Sequence, residues 1–501
     1  MAINYIYPEY EVTRNYDKCI NCRVCERQCA NEVHEYLDSA DKMVSNDANC
    51  VNCHRCVSLC PTRALKIVAS GNTYRANANW KGNSLNDIYR QADSGGVLLS
   101  SMGNPEDYPV YFDRMVLNAS QVTNPSIDPL REPMETKVSL GAKPENIERD
   151  SNGRLVNNLP PRLYLSMPMM FSAMSYGSIS YNAHECLARA SEELGILYNT
   201  GEGGLHEDFY RFGKNTIVQI ASGRFGVHPK YLNAGAALEI KIGQGAKPGI
   251  GGHLPGRKNI GDISRTRMIP EGSDAISPAP HHDIYSIEDL RQLVYSLKEA
   301  TDYRKPVIVK IAAVHNVAAI ASGIARSGAD IIAIDGFRGG TGAAPTRIRD
   351  HVGIPIELAL ASVDKRLRDE GIRDSVSLVV GGGIRSSADI VKAVALGADC
   401  VYIGTSALIA LGCHLCRSCH AGKCNWGIAT QIPELFKRLN PEIGYKRLVN
   451  LMTAWQREIM EMMGGMGINS IEGLTGNRLM LRGLGMNEKE LEILGIMHAG
   501  E

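Results

Sequence analysis

The chain has 501 residues, enough for two or three domains and a large core. Lys and Arg number 54, as do Asp and Glu, which leaves no charge excess for gripping a polyanion such as nucleic acid. No apolar run approaches membrane-spanning length and the start M-A-I-N-Y-I-Y-P has no basic stretch followed by an apolar one, so the chain is read as cytoplasmic, where clustered cysteines serve metals more often than disulfides.

Residues 1–14 read as a polar extension. Two cysteine runs follow, C-I-N-C-R-V-C-E-R-Q-C (Cys19, Cys22, Cys25, Cys29) and C-V-N-C-H-R-C-V-S-L-C-P (Cys50, Cys53, Cys56, Cys60). They form an internal repeat, and over residues 15–70 the chain resembles a bacterial two-cluster ferredoxin, a small α+β domain in which the fourth cysteine of each run ligates the other cluster. The resemblance implies two 4Fe–4S clusters, one on Cys19, Cys22, Cys25 and Cys60, the other on Cys50, Cys53, Cys56 and Cys29. Residues 71–160, rich in Asn, Ser, Pro and Gly, read as a connector packed on the next domain. Helices are expected around Ser84–Ala92 and Arg114–Asn118, because so long a structureless loop is unusual.

From Leu165 short apolar runs alternate with helical segments. The candidate strands are Met169–Met174, Ile196–Asn199, Ile217–Ile220, Leu238–Ile242, Val307–Ala312, Ile331–Asp335, Leu378–Gly381 and Val401–Gly404. Helices are expected at Ala183–Leu194, Ile287–Tyr303, Val317–Ser327 and Ala388–Leu396, the second N-capped by Ser286. Continuous apolar strands alternating with helices argue for a parallel sheet, and eight of them fit a (β/α)8 barrel over residues 161–435. An open doubly wound sheet is the alternative. Barrel chemistry sits at the strand C-termini, here Ser175, Asn199-Thr200, Gln219, Lys241, Lys310, Asp335, Gly381-Gly382-Gly383 and Gly404-Thr405. The last two groups follow strands seven and eight and open helices, a common place to hold a phosphate on backbone N–H groups. Lys310 ends an otherwise apolar strand, where a lysine is costly without a partner.

A late stretch, G-C-H-L-C-R-S-C-H-A-G-K-C, puts Cys413, Cys416, Cys419 and Cys424 on a loop spanning residues 412–425. Converging thiolates of this kind suit an iron–sulfur cluster, although the loop alone also admits a zinc knuckle. His281-His282-Asp283 invites a metal or acid–base reading, but adjacent side chains on a non-helical stretch diverge, and a structural role is favoured. Residues 436–501 read as a helical segment whose Met and Leu stripe packs on the barrel.

Several stretches together resemble the flavin-containing synthase domain of the glutamate synthase family. They are S-A-M-S-Y-G-S-I-S (172–180), N-T-G-E-G-G (199–204), Q-I-A-S-G-R-F-G-V (219–227), L-E-I-K-I-G-Q-G-A-K-P-G (238–249), S-P-A-P-H-H-D-I-Y-S-I-E-D-L (277–290), G-G-T-G-A-A-P (339–345) and the cysteine loop. With the ferredoxin part, the chain resembles the archaeal-type, split form of that family. The resemblance implies FMN, held by Ser172, Ala173, Met174, Ser175, Gln219, Lys310, Gly340, Thr341, Gly342, Gly382, Gly383, Gly404 and Thr405. It implies that 2-oxoglutarate and ammonia form 2-iminoglutarate, which is reduced to L-glutamate. Gln244, Lys247 and Arg267 fall on substrate-binding positions, and Glu202 and Lys241 on catalytic ones. The family's three-iron cluster spacing is matched by Cys413, Cys419 and Cys424. Cys416 is an added cysteine, so the centre is expected as 3Fe–4S or 4Fe–4S. Ile250, His253 and Asn425 depart from the family pattern.

No glutaminase nucleophile follows Met1 and no Gly-rich repeat domain is recognised. Separate glutaminase and repeat subunits are therefore expected, with electrons from ferredoxin or an NAD(P)H-oxidising partner, and a homo-oligomer is possible. The competing readings are a methylamine–glutamate N-methyltransferase-type subunit and a non-catalytic electron-transfer subunit.

Overall fold

The computed structural model describes residues 6–71, 74 and 77–501; the first five residues of the expected N-terminal extension and connector residues 72, 73, 75 and 76 lie outside it. Its largest element is an eight-stranded parallel sheet made of β1 (Met169–Phe171), β2 (Tyr198–Asn199), β3 (Thr216–Ile220), β4 (Ala237–Lys241), β5 (Val307–Ala312), β6 (Ile331–Asp335), β7 (Ser377–Gly381) and β8 (Cys400–Ile403). The strands follow chain order from β2 to β8, and β8 then pairs with β1, Ile403 opposite Phe171. The ring closes where the Phe171 N–H donates to the Leu197 carbonyl at 2.9 Å, so the sheet is a barrel and not an open, doubly wound one. V-I-V-K-I-A is buried along its whole length and I-I-A-I-D up to its final Asp335, because both faces are covered, the interior by side chains and the exterior by helices.

Helices α1 (Tyr181–Leu194), α2 (Ile287–Glu299), α3 (Val317–Arg326), α4 (Ile356–Asp369), α5 (Ser387–Leu396) and α6 (Thr405–Ala410) alternate with the strands. Ser180, Ser286 and Ser386 cap α1, α2 and α5 by accepting from the N–H three residues on, each worth about 1 kcal/mol. The long α7 (Pro441–Met466) buries Leu448, Met452, Trp455, Ile459 and Met463, the stripe read in the sequence as packing. It passes α1 at Gly444, where an added Cβ would lie 2.5 Å from the Cys186 sulfur. Cys186 and Cys400 are fully buried core residues. Among the described residues no helix is long and apolar enough to cross a membrane.

Two expectations outside the barrel are corrected. No α-helix forms over residues 114–118: a short 3-10 turn, Tyr111–Arg114, leads into the strand Met115–Leu117, which pairs antiparallel with Leu481–Gly483. The last segment is therefore not all helix, since after α7 only Glu488–Leu494 is α-helical and Met497–His498 adds a third strand to that small sheet. The connector helix does form, over Gly82–Ser94. Further on, Val138–Leu140 pairs with Leu163–Leu165 at the N-terminal end of the barrel, where Ser377 at the start of β7 bonds both the N–H and the carbonyl of Gly141.

The N-terminal part repeats its own plan. Tyr10–Arg14 pairs antiparallel with Leu65–Ala69, and His34–Leu37 with Lys42–Ser45; the short helices Val24–Gln28 and Arg55–Ser58 carry Cys25 and Cys56 inward.

Candidate active site and cysteine relay

A cavity of about 970 Å³, counting its open mouth, lies at the C-terminal end of the barrel strands. The strands deliver its polar residues directly. β3 supplies Gln219, its last residue but one, β4 ends in Lys241, and β5 supplies Lys310, which stands in register beside Lys241 on the neighbouring strand. The turns after β1, β2 and β4 add Ser172 to Ser175, Glu202, Gln244 and Lys247, and Arg267 arrives from the helix Asp262–Arg267. Gly340, Thr341, Gly342, Gly404 and Thr405 close the opposite side.

The charge balance of this cavity is uneven. Lys241, Lys247, Arg267 and Lys310 line it against one carboxylate, Glu202. Lys241 Nζ stands 3.5 Å from Glu202 Oε2, with both side chains nearly buried (11% and 14% exposed). Ser277 Oγ donates to the same carboxylate at 3.1 Å. Burial alone would raise the Glu202 pKa, but Lys241, Arg267, Lys247 and the Ser277 hydroxyl outweigh it and hold the carboxyl below its ordinary value. Burial, helped by the neighbouring Lys241, pulls Lys247 down to about 8, and its Nζ donates to the Ala343 carbonyl at 3.0 Å. Arg267 is only 2% exposed, and burial lowers it to about 10. Its Nη2 donates to the Tyr176 and Glu202 carbonyls, at 3.0 and 3.2 Å. Gly203 is required here, because with φ 123° its Cβ would lie 2.6 Å from the Arg267 guanidinium carbon.

Beneath the cavity floor, Gln219 Nε2 donates to Glu239 at 2.6 Å and the Tyr402 hydroxyl donates to the other oxygen of that carboxylate at 2.7 Å. The amide nitrogen of Gln219 is thereby committed inward, which leaves its carbonyl oxygen to face the cavity. Glu239, a buried acid in the middle of an apolar strand, was not among the expected site residues.

Near β8, a Cβ on Gly404 would meet Ser172 Oγ at 2.5 Å and one on Gly340 would meet Thr405 Oγ1 at 3.0 Å, so hydroxyls and bare backbone converge there. Two expected members of this group stand apart. Gly382 and Gly383 do not line the cavity; added Cβ atoms would strike the Gly336 backbone (2.7 Å) and the Arg338 side chain (3.0 Å). At φ 106° and 97°, they let the β7 turn pass close to the β6 turn. His281 serves the loops as expected: its Nε2 bonds the Lys241 carbonyl at 2.7 Å, while Asp283 pairs with Arg224.

The connector also contributes, which its irregular sequence concealed. Met102 lines the cavity, its N–H donating to the Thr341 carbonyl at 2.8 Å. Ser101 Oγ donates to the Gly342 carbonyl at 2.7 Å and accepts from the His420 N–H at 3.0 Å, tying the cavity wall to the cysteine loop. Cys419 itself lines the cavity. The loop and the barrel mouth are one site.

The other cysteines gather into two sets. A smaller cavity of about 290 Å³ is lined by Cys19, Cys22, Cys25 and Cys60, with Arg14 reaching the Cys19 and Cys25 sulfurs at 3.6 and 3.7 Å. The Ala64 N–H donates to Cys60 at 3.2 Å. The second set is Cys29, Cys50, Cys53 and Cys56: burial first, then the sulfurs of Cys53, Cys29 and Cys50, push the Cys56 thiol up to about 12. These are the two groupings that the doubled runs imply. Among the described residues no three His, Cys, Asp or Glu side chains stand close enough to share one metal ion. A cubane spreads its thiolates over separate iron corners, farther apart than around a single ion.

The second set abuts the loop. Asn425 Nδ2 donates to the Cys53 sulfur at 3.2 Å while its carbonyl accepts from the Ala30 N–H at 2.8 Å. Trp426 Nε1 and His414 Nδ1 both bond the Cys53 carbonyl, at 2.8 and 3.0 Å, and Arg438 donates to the Gln28 carbonyl at 2.9 Å. The second cysteine set thus touches the loop whose Cys419 lines the barrel mouth.

Comparison with known proteins agrees with this arrangement. Residues 106–469 match the family model described as a conserved region in glutamate synthase, and residues 18–64 match that of a 4Fe-4S dicluster domain. The chain is 62% identical to an archaeal glutamate synthase [NADPH] of Archaeoglobus fulgidus, over 99% of this chain and 98% of that one. It is 61% identical to an archaeal-type glutamate synthase [NADPH] of Thermotoga maritima over the full length of both. With the glutamate synthase [NADPH] large chain of Bacillus subtilis it shares 43% identity over 61% of its own length and 20% of that chain.

Proposed function

The chain belongs to the glutamate synthase family, and on that premise we propose that it forms L-glutamate by reductive amination of 2-oxoglutarate, using FMN in the barrel cavity and electrons relayed by iron–sulfur clusters. The observation that carries this reading is the excess of four cations over one carboxylate in the cavity. Buried cations need anions, and a dicarboxylate with a cofactor phosphate supplies them. A pure electron conduit would have no use for such a cage.

The residues present fit FMN. The hydroxyls of Ser172 and Thr405 with the bare backbone of Gly340 and Gly404 suit a phosphate. Lys310, the outward carbonyl of Gln219, and residues Ala173 to Ser175 with Thr341 and Gly342 are placed to hold the ring. FMN, when bound, supplies a hydride donor that one-electron clusters can recharge.

Lys241, Gln244, Lys247 and Arg267 bind and orient the two carboxylates of 2-oxoglutarate. Glu202, kept ionised by its neighbours, takes a proton from the attacking ammonia nitrogen and returns it to the departing hydroxyl as the imine forms. Lys241 holds that carboxylate in place and polarises the substrate carbonyl. Cys419 and Met102 close the cavity on the cluster side, keeping the electron path short and the imine away from bulk water.

The relatives are named as NADPH enzymes, and for this chain NADPH is oxidised by a partner that feeds electrons to the Cys19–Cys60 end, where Cys22 is exposed. Ammonia comes from a separate glutaminase. The test is an anaerobic assay with 2-oxoglutarate, ammonium and a chemically reduced viologen. Glutamate that depends on all three is expected. Viologen oxidation without glutamate contradicts the reading, and N-methylglutamate formed only with methylamine would select the alternative.

A further inference from the structure

We propose that the Gly412–Cys424 loop is a third ferredoxin-type cluster site in which Cys416 is a ligand, so that Cys413, Cys416, Cys419 and Cys424 together hold a 4Fe–4S cubane. The inference deepens the proposed function, whose cluster nearest the cavity it specifies.

Three C-x2-C-x2-C runs of this chain share one backbone plan. In each, the residues on either side of the middle cysteine are left-handed. Asn21 (φ 51°) and Arg23 (59°) flank Cys22, Asn52 (54°) and His54 (58°) flank Cys53, and Leu415 (54°) and Arg417 (55°) flank Cys416. Leucine and arginine have no local reason to adopt this conformation, which costs about 1 kcal/mol or more per residue. In the ferredoxin part the path wraps the backbone around a cluster, and the loop repeats it at the same offsets.

The N–H to sulfur bonds repeat as well. In the second run the Asn52 N–H serves Cys50 and the Arg55 N–H serves Cys53. In the loop, the Leu415 N–H reaches the Cys413 sulfur at 3.4 Å and the Ser418 N–H serves Cys416. A spare thiol between two ligands would need neither the flanking geometry nor the inward N–H group. The Cys419 sulfur lies within electrostatic reach of those of Cys424, Cys416 and Cys413.

A separate observation comes from another part of the chain. Lys258 is 4% exposed, and its Nζ donates to the Cys419 carbonyl at 2.9 Å. Among the described residues it forms no ion pair with a carboxylate; the charged groups it feels are the Cys419 and Cys424 sulfurs and Arg257. A buried ammonium needs nearby negative charge, which a cubane bearing four thiolates supplies.

The experiment uses the full chain purified under strict anaerobiosis, as wild type, Cys416→Ala, and Cys186→Ala as a non-ligand control. Iron per chain is counted, and EPR and Mössbauer spectra are taken of the oxidised protein. The wild type and the control should hold about twelve irons with no three-iron signal, whereas Cys416→Ala should fall to about eleven irons and gain that signal. A wild type with about eleven irons and a three-iron signal that Cys416→Ala leaves unchanged overturns the proposal. If Cys416→Ala fails to fold, the wild-type count and spectra decide alone. Glutamate formation is assayed on the same samples: an intact third cubane without activity counts against the proposed function and leaves the ligation standing, and an active three-iron wild type does the reverse.

Discussion

The barrel mouth and the cysteine relay handle charge in opposite ways. At the mouth four cations surround one carboxylate, while the relay gathers twelve of the fourteen cysteines with Arg14 and Lys258 among the few cations close to the sulfurs. Neither end is electrostatically complete by itself. The mouth is built for anionic guests, and the relay for iron that keeps sulfur as thiolate. Several of these thiols are pushed up by burial, so without iron they would be protonated and neutral. The two ends meet at Cys419 and Ser101, and the proposed electron path runs through that contact.

Breaking the cationic end should have the largest effect. Lys241→Met removes a proposed substrate cation and strands the Glu202 carboxylate, and kcat/KM for 2-oxoglutarate should fall by roughly a thousandfold, about 4 kcal/mol. The iron content should stay unchanged, which steady-state kinetics and iron analysis together would establish. Glu202→Gln should cost about a hundredfold in kcat with little change in KM, the sign of a proton-transfer role and not a binding one. A pH series sharpens the contrast further. Lys247 titrates near 8. Below that it is charged and helps bind the dianion; as pH rises past 8 it discharges, so KM for 2-oxoglutarate should climb by up to about tenfold per unit. Lys247→Arg should flatten that limb. The smallest effect is expected at the junction. Asn425→Ala removes the hydrogen bond to the Cys53 sulfur and the one from Ala30, and should slow viologen-driven turnover a few-fold while leaving 2-oxoglutarate binding unchanged by calorimetry, each lost bond being worth about 1 kcal/mol.

How much of this was legible depended on where the determining partner lies in the chain. The barrel strands were readable because strands buried on both faces are written as continuous apolar runs, and Val307–Ala312 and Ile331–Asp335 come out residue for residue. Lys241, Lys247, Lys310 and Glu202 were readable because they sit on strands or in long motifs, whereas Arg267 lies on the helix Asp262–Arg267, outside both. Residues 114–118 were misread because the strand there is completed by Leu481–Gly483, far away in sequence. Gly382 and Gly383 read as a phosphate turn, and the glycine run alone did not show that they also pack against Gly336 and Arg338. Asn425 was visible as a departure from the family, but its meaning lies in the Cys53 sulfur that it touches. Ser101 and Met102 carry no periodic signal at all.

On the proposed function, electrons entering at the cysteine end leave at the barrel mouth as glutamate. A single-turnover experiment tests it most directly: the FMN-loaded, iron-replete chain is given a limited amount of reduced viologen without oxygen, and the flavin absorbance is followed. Bleaching of the flavin is expected, then its recovery when 2-oxoglutarate and ammonium are added together, with glutamate accounting for the electrons supplied. Reduced clusters beside a flavin that never bleaches, or a bleached flavin that the two substrates leave unchanged, would contradict the account.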